Sequence, residues 1–201
     1  MPIHPLSSTG QHQTAVAWGG KIYTSDDYGV NWTEAAGAGD RDWISVAISS
    51  TGQHQTAVVW GGKIFTSDNY GETWGEKAGT GDRGWMGIAM SSTGQHQTAV
   101  VQGGKIYTSG DYGVTWTEKA GTGDRWWRSV AMSSTGQHQT AVVEDGSIYT
   151  SGDYGVTWTE MAGAGDRHWS GVALSSTGQY QTAVVYGGRI YIRLLRKGLW
   201  R

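Results

Sequence analysis

Apolar and aromatic side chains occur along this chain in short runs, and Gly, Ser, Asn and Asp separate one run from the next. Residues 43–77 show the pattern in full, with runs at 43–48, 55–60, 63–67 and 73–77. Runs of β-branched and aromatic residues between turn-forming residues are typical of β-strands. No stretch of 10 residues has helical periodicity without an internal Gly. The pattern predicts an all-β chain of short strands.

The strand pattern repeats with a fixed period of 42 residues. The string Ser-Ser-Thr-Gly-Gln begins at Ser7, Ser49, Ser91, Ser133 and Ser175, and 33 of 42 positions are identical between 91–132 and 133–174. Periods of this length occur in propeller blades and in the helical HEAT and armadillo repeats. Four short strands in each unit favour a β-propeller and exclude the helical repeats.

Counting units predicts one domain over residues 1–201, an all-β, five-bladed β-propeller whose four-stranded blades form a single ring. The blades are expected at about 1–42, 43–84, 85–126, 127–168 and 169–201. Five full units need nine residues more than the chain has, which is the loop that would lead back to the first blade. The first blade is expected to begin with an inner strand at 2–6, because Pro is tolerated on its unpaired edge.

The third turn of each blade carries the motif Ser-x-Asp-x-Gly-x-x-Trp. Clean copies lie at 25–32, 109–116 and 151–158. In the second copy Asn69 replaces the Asp, and in the fifth Arg193, Leu195 and Lys197 replace the Ser, Asp and Gly. The motif resembles the Asp-box, or bacterial neuraminidase repeat, of sialidase-like propellers, over nearly the whole chain. The resemblance implies that this turn joins the third and fourth strands, away from the substrate face. Asp27, Asp111 and Asp153 are therefore interpreted as structural, since an Asp can accept turn amides.

The sequence argues against a sialidase-like glycoside hydrolase, and no catalytic residue is assigned. Such an enzyme needs two differentiated carboxyl groups or a Tyr nucleophile in one pocket. The sialidase-like enzymes also hold the substrate carboxylate with three arginines from different blades. Here the acids and arginines recur identically from blade to blade. That pattern favours several equivalent shallow sites, and the chain is not expected to be an enzyme.

The loop between the fourth strand and the next blade is the candidate ligand site. It carries an Asp, an Arg and a Trp in each of four copies: Asp40, Arg41 and Trp43; Asp82, Arg83 and Trp85; Asp124, Arg125 and Trp127; Asp166, Arg167 and Trp169. An indole can stack on a pyranose while the Asp and Arg bind its hydroxyls. The alternative is that Asp and Arg pair within the loop and the Trp fills the space between blades.

Three positions near the same face differ from blade to blade while the scaffold positions stay constant. The end of the second strand carries Trp18, Trp60, Gln102, Glu144 and Tyr186. The position before the loop Trp carries Asp42, Gly84, Trp126 and His168, and the position after that Trp carries Ile44, Met86, Arg128 and Ser170. Either these sites differ in specificity or this part of the face is under little constraint.

Composition narrows the ligand classes. The chain has Trp 12, Tyr 10, Phe 1 and no Cys, so it contains no disulfide or Cys-ligated metal. The single His per blade, at His12, His54, His96 and His138, is interpreted as a turn residue, and neither a metal nor a cofactor is proposed. Residues 1–188 are acidic on balance, which argues against nucleic acid, and no apolar run is long enough to span a membrane.

These observations predict a non-enzymatic, multivalent carbohydrate-binding protein whose partners are glycans. Its architecture is similar to that of the five-bladed tachylectin-like lectins. Multivalency would turn weak individual sites into useful avidity. The alternative is a protein-binding scaffold or assembly factor that uses the ring face, since Trp and Arg serve equally well in protein interfaces. The degraded fifth blade is a further candidate surface for self-association.

Overall fold

The computed structural model describes residues 5–194 and Trp200, and within them the protein is all-β. The chain forms five successive antiparallel units, called blades 1 to 5. Blade 1 contains β1 (Gln13–Val16), β2 (Ile22–Ser25) and β3 (Thr33–Glu34). Blade 2 contains β4 (Trp43–Ile48), β5 (Gln55–Gly62), β6 (Ile64–Ser67) and β7 (Gly75–Glu76).

The later blades repeat this order. Blade 3 contains β8 (Arg83–Met90), β9 (Gln97–Gly104), β10 (Ile106–Ser109) and β11 (Thr117–Lys119). Blade 4 contains β12 (Arg125–Met132), β13 (Gln139–Val143), β14 (Ile148–Ser151) and β15 (Thr159–Glu160). Blade 5 contains β16 (Trp169–Leu174), β17 (Tyr180–Val185) and β18 (Ile190–Leu194). Short 3₁₀ turns at Ala78–Thr80, Ala120–Thr122 and Ala162–Ala164 lie in the links between blades.

Each of blades 2 to 5 is an antiparallel meander whose first strand packs on the first strands of the neighbouring blades, and in blade 1 the strand β1 corresponds to the second strand of the others. In blade 2 the pairing order is β4, β5, β6, β7, and β4 packs on β8 just as β8 packs on β12. The turns therefore fall on two opposite faces. The upper face carries the loops between second and third strands and the links between blades. The lower face carries the Ser-Ser-Thr-Gly turns and the Asp-box turns.

The core lies between blades, in interfaces that we call seams. In the seam between blades 2 and 3, Val58 and Ile64 pack against Trp85 and Ala99, and all four are fully buried. Burying one Val or Ile contributes about 1.5–3 kcal/mol. Each blade therefore depends on its neighbours for much of its stability.

The strands predicted in blade 2 form, with four of their ends shifted by one or two residues; β6 begins one residue late, at Ile64, and β7 ends one residue early, at Glu76. Strand β5 runs on through Gly62, because that residue pairs with Arg83 at the entry to blade 3. Strand β7 begins only at Gly75, because Thr73 is still bound within the Asp-box turn.

The two terminal blades differ from the prediction of a closed ring. Ile190 on the outer side of blade 5 is 69% exposed, whereas its counterpart Ile148 in blade 4 is fully buried. Because seam residues of blade 5 lie open to solvent, the described residues do not close a ring between blades 5 and 1. Of the inner strand expected at 2–6, residues 2–4 lie outside the described part, and Leu6 forms a bridge to Gln13.

The replaced fifth Asp-box lies partly outside the described residues. Arg193 belongs to β18 and is bridged by Trp200, while Leu195 and Lys197 are not among the residues that the structure describes. Trp200 packs beside Trp169, with 6.4 Å between the ring centroids. Trp200 therefore occupies the place of the box Trp although the rest of the motif is lost.

Candidate ligand-binding face

The Asp-box carboxylates on the lower face are engaged by their own turns. Asp27 Oδ1 accepts hydrogen bonds from the Ser25 hydroxyl at 2.8 Å and from the Asn31 amide at 2.9 Å. The Asn31 backbone and side chain, with the Ser25 hydroxyl, hold the pKa of Asp27 below its ordinary range. Asp111 and Asp153 accept the equivalent bonds. These carboxylates stabilise the turns, as expected from the sequence.

The four loop tryptophans expected to stack on a sugar are instead buried in the seams. They are at most 2% exposed. Each meets the aromatic residue of its third strand edge-on, with 5.0–5.1 Å between centroids: Trp43 with Phe65, Trp85 with Tyr107, Trp127 with Tyr149, and Trp169 with Tyr191. A ring without an accessible face cannot stack on a ligand. The structure corrects the expected role, and these side chains fill the space between blades.

The loop arginines lie over the same third-strand rings. Arg83 Nε donates to the Thr80 carbonyl at 2.9 Å, and its Cζ lies 4.9 Å from the centre of the Tyr107 ring. The same pair of contacts is made by Arg41, Arg125 and Arg167. A guanidinium over an aromatic face is a favourable cation–π contact. One face of each guanidinium is thus occupied by the protein itself.

The loop aspartates are exposed and lie apart from these contacts. Asp40, Asp82 and Asp124 face solvent, and Asp166 accepts a hydrogen bond from the Ser147 hydroxyl at 2.6 Å. Within residues 5–194, none of them forms an ion pair with the Arg that follows it. The described loops therefore assemble neither the expected Asp-Arg-Trp grip nor the alternative Asp–Arg pair.

A hydrogen-bonded network fixes the ring beneath the loop Arg. In blade 3, the Tyr107 hydroxyl donates to Glu118, which also pairs with Lys105 Nζ at 2.8 Å. Burial of the ring and this bond to Glu118 raise the pKa of Tyr107 to about 12. Blade 4 makes the same bond from Tyr149 to Glu160. The third-strand ring beneath each of these loop arginines is therefore held in place by the fourth strand.

A different set of side chains forms a continuous row along the upper face. The row alternates between the end of a second strand and the residue just before a first-strand Trp. We call it the rim row, and its members in order are Trp18, Asp42, Trp60, Gly84, Gln102, Trp126, Glu144, His168 and Tyr186. These are two of the three positions that vary between blades.

Backbone pairing makes the row continuous across the seams. Trp60 pairs with Gly84 of the next blade, and its ring lies 3.4 Å from where a Cβ on Gly84 would stand. Gln102 pairs in the same way with Trp126, whose carbonyl accepts the Glu144 amide at 2.8 Å. Side chains of directly paired residues lie on the same side of a sheet. The rim row therefore presents one shared surface.

The aromatic members of the row are unusually open to solvent. Trp18 is 55% exposed, Trp126 58% and Tyr186 76%. Trp60 is partly covered where it packs on Gly84. Scattered exposed apolar residues are common, but an aligned group of large aromatic ones marks a candidate binding surface. Sequence analysis singled out these positions by their variability, yet it could not show that they lie side by side.

A charged cluster occupies the blade 5 end of the row. Arg128 Nη1 lies 3.7 Å from one Glu144 oxygen, and His168 Nε2 lies 3.4 Å from the other. The opposite ring nitrogen of His168 lies 3.0 Å from Asp145. Tyr186 packs against the same imidazole with 5.4 Å between centroids. The cluster offers donors, acceptors and an aromatic ring at one place.

On the lower face, each turn His packs across a seam. The His54 ring lies 4.6 Å from the ring of Tyr112, and its backbone amide binds the Ser49 hydroxyl at 3.0 Å. The prediction of a turn residue is confirmed, since the His54 carbonyl also accepts the Ser49 amide at 2.8 Å, while the ring makes the aromatic contact across the seam. Across the described residues, no three His, Asp or Glu side chains converge as a metal site would require.

Comparison with known proteins supports the repeat and the fold. The BNR-Asp box repeat family matches residues 22–35, and comparison with curated proteins gave no match. An ancestral GH74 enzyme superposes with a TM-score of 0.75 and 17% identity, covering 98% of this chain and 29% of the enzyme. The GH74 xyloglucanase from Xanthomonas campestris gives 0.78 and 16%, covering 98% and 36%. YCF48 bound to D1 peptide gives 0.69 and 16%, covering 97% and 65%.

The chain thus spans about a third of the GH74 enzymes and about two-thirds of YCF48. At this level of identity the likeness shows the fold alone. With the repeat match it defines the class: the protein is a β-propeller that carries Asp-box repeats. No helix in the described part of the chain has the length and hydropathy needed to cross a membrane.

Proposed function

We propose that the protein is a non-enzymatic carbohydrate-binding propeller that holds an extended glycan along the rim row. The observation that carries this proposal is the series of contacts that joins Gln102, Trp126, Glu144, His168 and Tyr186 along one surface, on which Trp126 and Tyr186 are more than half exposed. Aromatic rings can stack on the apolar faces of sugar rings, and the polar members between them can bind hydroxyl groups. The combination suits a sugar chain better than a purely apolar ligand.

The length of the row favours an oligosaccharide over a single sugar. Paired strands lie roughly 5 Å apart, so the six steps from Trp60 to Tyr186 follow a curved path on the order of 30 Å. Gln102 and Glu144 stand between aromatic members along this path. A chain of several sugars would therefore touch aromatic and polar positions in turn.

The arrangement of carboxylates supports binding rather than hydrolysis. Glycosidases place two carboxyl groups on opposite sides of the bond that they cleave. Beside the row, Glu144 and Asp145 contact opposite nitrogens of the His168 imidazole, at 3.4 and 3.0 Å, so the ring lies between the two carboxylates. Glu144 also forms an ion pair with Arg128. A sugar linkage would have to displace this ring before the two carboxylates could act on it.

Two adjacent tryptophans give the experiment a matched control. Trp126 is 58% exposed in the row, while Trp127 is fully buried in the seam. A glycan array that includes xyloglucan and other oligosaccharides of increasing length identifies the ligand, and calorimetry measures its affinity. Trp126→Ala is expected to weaken binding about tenfold, or roughly 1.4 kcal/mol, with an unchanged Tm. Trp127→Ala is expected to lower stability by about 3–5 kcal/mol.

Affinity should rise with the number of sugars until the row is filled. A blank array contradicts the proposal, and so does a bound sugar whose affinity Trp126→Ala leaves unchanged. Hydrolysis of the bound glycan would contradict the non-enzymatic part alone.

A peptide is the second candidate ligand, and the charged cluster favours it. Arg128, Glu144 and His168 lie beside Trp126 and Tyr186, and Trp, Tyr and Arg dominate protein-binding hot spots. One structural neighbour, YCF48, has been solved bound to D1 peptide. A peptide array should then give binding that weakens with salt and with Arg128→Ala, whereas a neutral glycan should be insensitive to salt.

A further inference from the structure

Every seam between two described blades is built from the same directional contacts. The amide of Ser50 in blade 2 donates to the Ser92 carbonyl in blade 3 at 2.8 Å. The Thr56 hydroxyl donates to Gln97 Oε1 at 2.7 Å. The equivalent pairs recur in the other three seams, at sequence separations of 42 and 41 residues. Each blade thus has a donor side, toward the next blade, and an acceptor side.

The steric fit between neighbouring blades also has the same direction in every seam. A Cβ built on Gly94 of blade 3 would lie 2.7 Å from His54 Cβ of blade 2, and Gly52, Gly136 and Gly178 stand in the same relation to the preceding His. The acceptor side therefore has a slot over this Gly, and the donor side supplies the side chain that fills it.

Blade 5 exposes donor-side groups whose counterparts in blade 4 are buried. Val184 is 36% exposed and Ile190 69%, whereas Val142 and Ile148 at the same positions in blade 4 are fully buried. Tyr180, at the position of the turn His, is 60% exposed. No acceptor among the described residues lies within hydrogen-bond distance of the hydroxyl of Thr182, the blade 5 counterpart of Thr56 and Thr140. Blade 5 therefore exposes both the apolar side chains and the hydrogen-bonding group with which the other blades contact the next blade.

Blade 1 exposes the matching acceptor side. Tyr23 is 40% exposed, whereas Tyr107 at the same position is 6% exposed. Among the described residues, only Leu6 approaches the slot over Gly10, at 4.0 Å. Gln13 stands where Gln97 accepts its seam hydrogen bond, and within the described chain no donor reaches its Oε1. Among its described residues, blade 1 therefore exposes acceptor-side groups whose counterparts in blade 3 are buried in a seam.

Charge is also complementary between the two ends. Among the described residues, 5–42 carry two basic and five acidic side chains, whereas 169–194 carry two basic side chains and no acidic one. Opposite charge on two surfaces steers them together and disfavours pairing of like ends. This balance favours contact of blade 5 with blade 1 over contact of blade 5 with another blade 5.

We propose that the exposed side of blade 5 binds the exposed side of blade 1 of a second copy of this chain, forming an intermolecular seam. The Ser176 amide would donate to the partner's Ser8 carbonyl, and Thr182 to the partner's Gln13. The partner's Gly10 would receive Tyr180. This head-to-tail contact joins two different surfaces, so each copy keeps one free end and can bind another.

Cross-linking distinguishes this arrangement from closure within one chain. The chain contains no Cys, so Ser8→Cys with Ser176→Cys adds the only two thiols for a short bismaleimide. The expected product is a ladder of dimers and larger species on a denaturing gel. Ser50→Cys with Ser92→Cys, in an existing seam, is the control and should give a cross-linked monomer. A cross-linked monomer from the Ser8 and Ser176 pair, or no cross-link where the control reacts, overturns the proposal.

A substitution in the exposed side gives the second measurement. Sedimentation of the unmodified protein over a hundredfold concentration range should show a rising average mass. Ile190→Lys should abolish that rise while the far-UV spectrum and the Tm at low concentration stay unchanged. Ile148 is the counterpart of Ile190 in blade 4 and is buried in a seam. Ile148→Lys should therefore unfold the protein, which shows how strongly the same substitution destabilises a seam within the chain. A constant monomer mass, or association that Ile190→Lys does not reduce, contradicts the intermolecular seam.

Discussion

Single residues in this protein are best understood by comparing the same position in different blades. The third-strand aromatic is Tyr107 in blade 3 and Phe65 in blade 2, and each lies beneath a loop Arg. Only the Tyr also donates a hydrogen bond, to Glu118. The ring thus supports the guanidinium in both blades, and the hydroxyl adds a link to the fourth strand in one of them.

This comparison predicts how stability depends on alkaline pH. Because the pKa of Tyr107 is raised to about 12, above its ordinary value of 10.0, folding favours the neutral phenol. Its contribution is complete below pH 10 and is lost as the pH rises toward 12. Tyr107→Phe should remove about 1–3 kcal/mol of that alkaline loss and cost about 1 kcal/mol or less at pH 8. Urea unfolding of both proteins at pH 8 and toward pH 12 measures these differences in the free energy of unfolding.

The exposed Tyr186 provides the control for this measurement. Tyr186→Phe should leave the alkaline loss unchanged, because the ring is 76% exposed. Equal alkaline losses in Tyr107→Phe and in the unsubstituted protein would show that Tyr107 is not the group responsible.

At the level of one structural element, the Asp-box turn carries its own natural variant. Asn69 Oδ1 accepts the Thr73 amide at 3.1 Å, and its Nδ2 donates to the Thr73 hydroxyl at 3.0 Å. In blade 3, Asp111 accepts both the amide and the hydroxyl of Thr115, at 2.9 and 2.6 Å. The turn therefore needs a side-chain oxygen that accepts the backbone amide. Toward the Thr hydroxyl, the same side chain can either donate or accept a hydrogen bond.

Asp111→Asn is therefore expected to change stability at pH 7 by less than about 1 kcal/mol, whereas Asp111→Ala should cost about 1–3 kcal/mol. Partial burial acts to raise the pKa of Asp111, but hydrogen bonds from Thr115 and Ser109 outweigh it, and the pKa is lowered. The carboxylate thus contributes stability above its unfolded pKa, and this is lost as the pH falls.

Denaturant unfolding at pH 7 and in acid measures both effects. Asp111→Asn should lose less stability in acid than the unsubstituted protein does. A cost of several kcal/mol for Asp111→Asn at pH 7 would show that the charge itself holds the turn.

The strands and turns could be predicted from sequence because their signals are local. Runs of β-branched residues and fixed turn motifs placed the blade 2 strands to within two residues at each end. The candidate site could not be predicted in the same way. Trp126 and Trp127 are neighbours of one residue type, yet one is exposed and the other buried, because successive strand residues face opposite sides. Only the packing of the next blade decides which side is inside.

At the scale of the whole molecule, the repeat period led to the expectation of a closed ring, and the described end blades show open sides instead. Arithmetic on 42-residue units counts blades, but it contains no information on the angle between them. That angle is set by side chains in the seams, such as Val58 and Ile64 against Trp85. Propeller closure is therefore a property of the packing.

The constant sequence separation across the seams also determines how the molecule unfolds. Each seam hydrogen bond joins residues 41 or 42 apart, so every blade is held by its immediate neighbours. A chain of nearest-neighbour couplings behaves as a one-dimensional cooperative array, in which the ends fray before the middle. Amide hydrogen exchange read by mass spectrometry on dilute protein should be slowest in blade 3 and faster toward both termini. A single exchange rate for all blades would mean that the array melts as one unit.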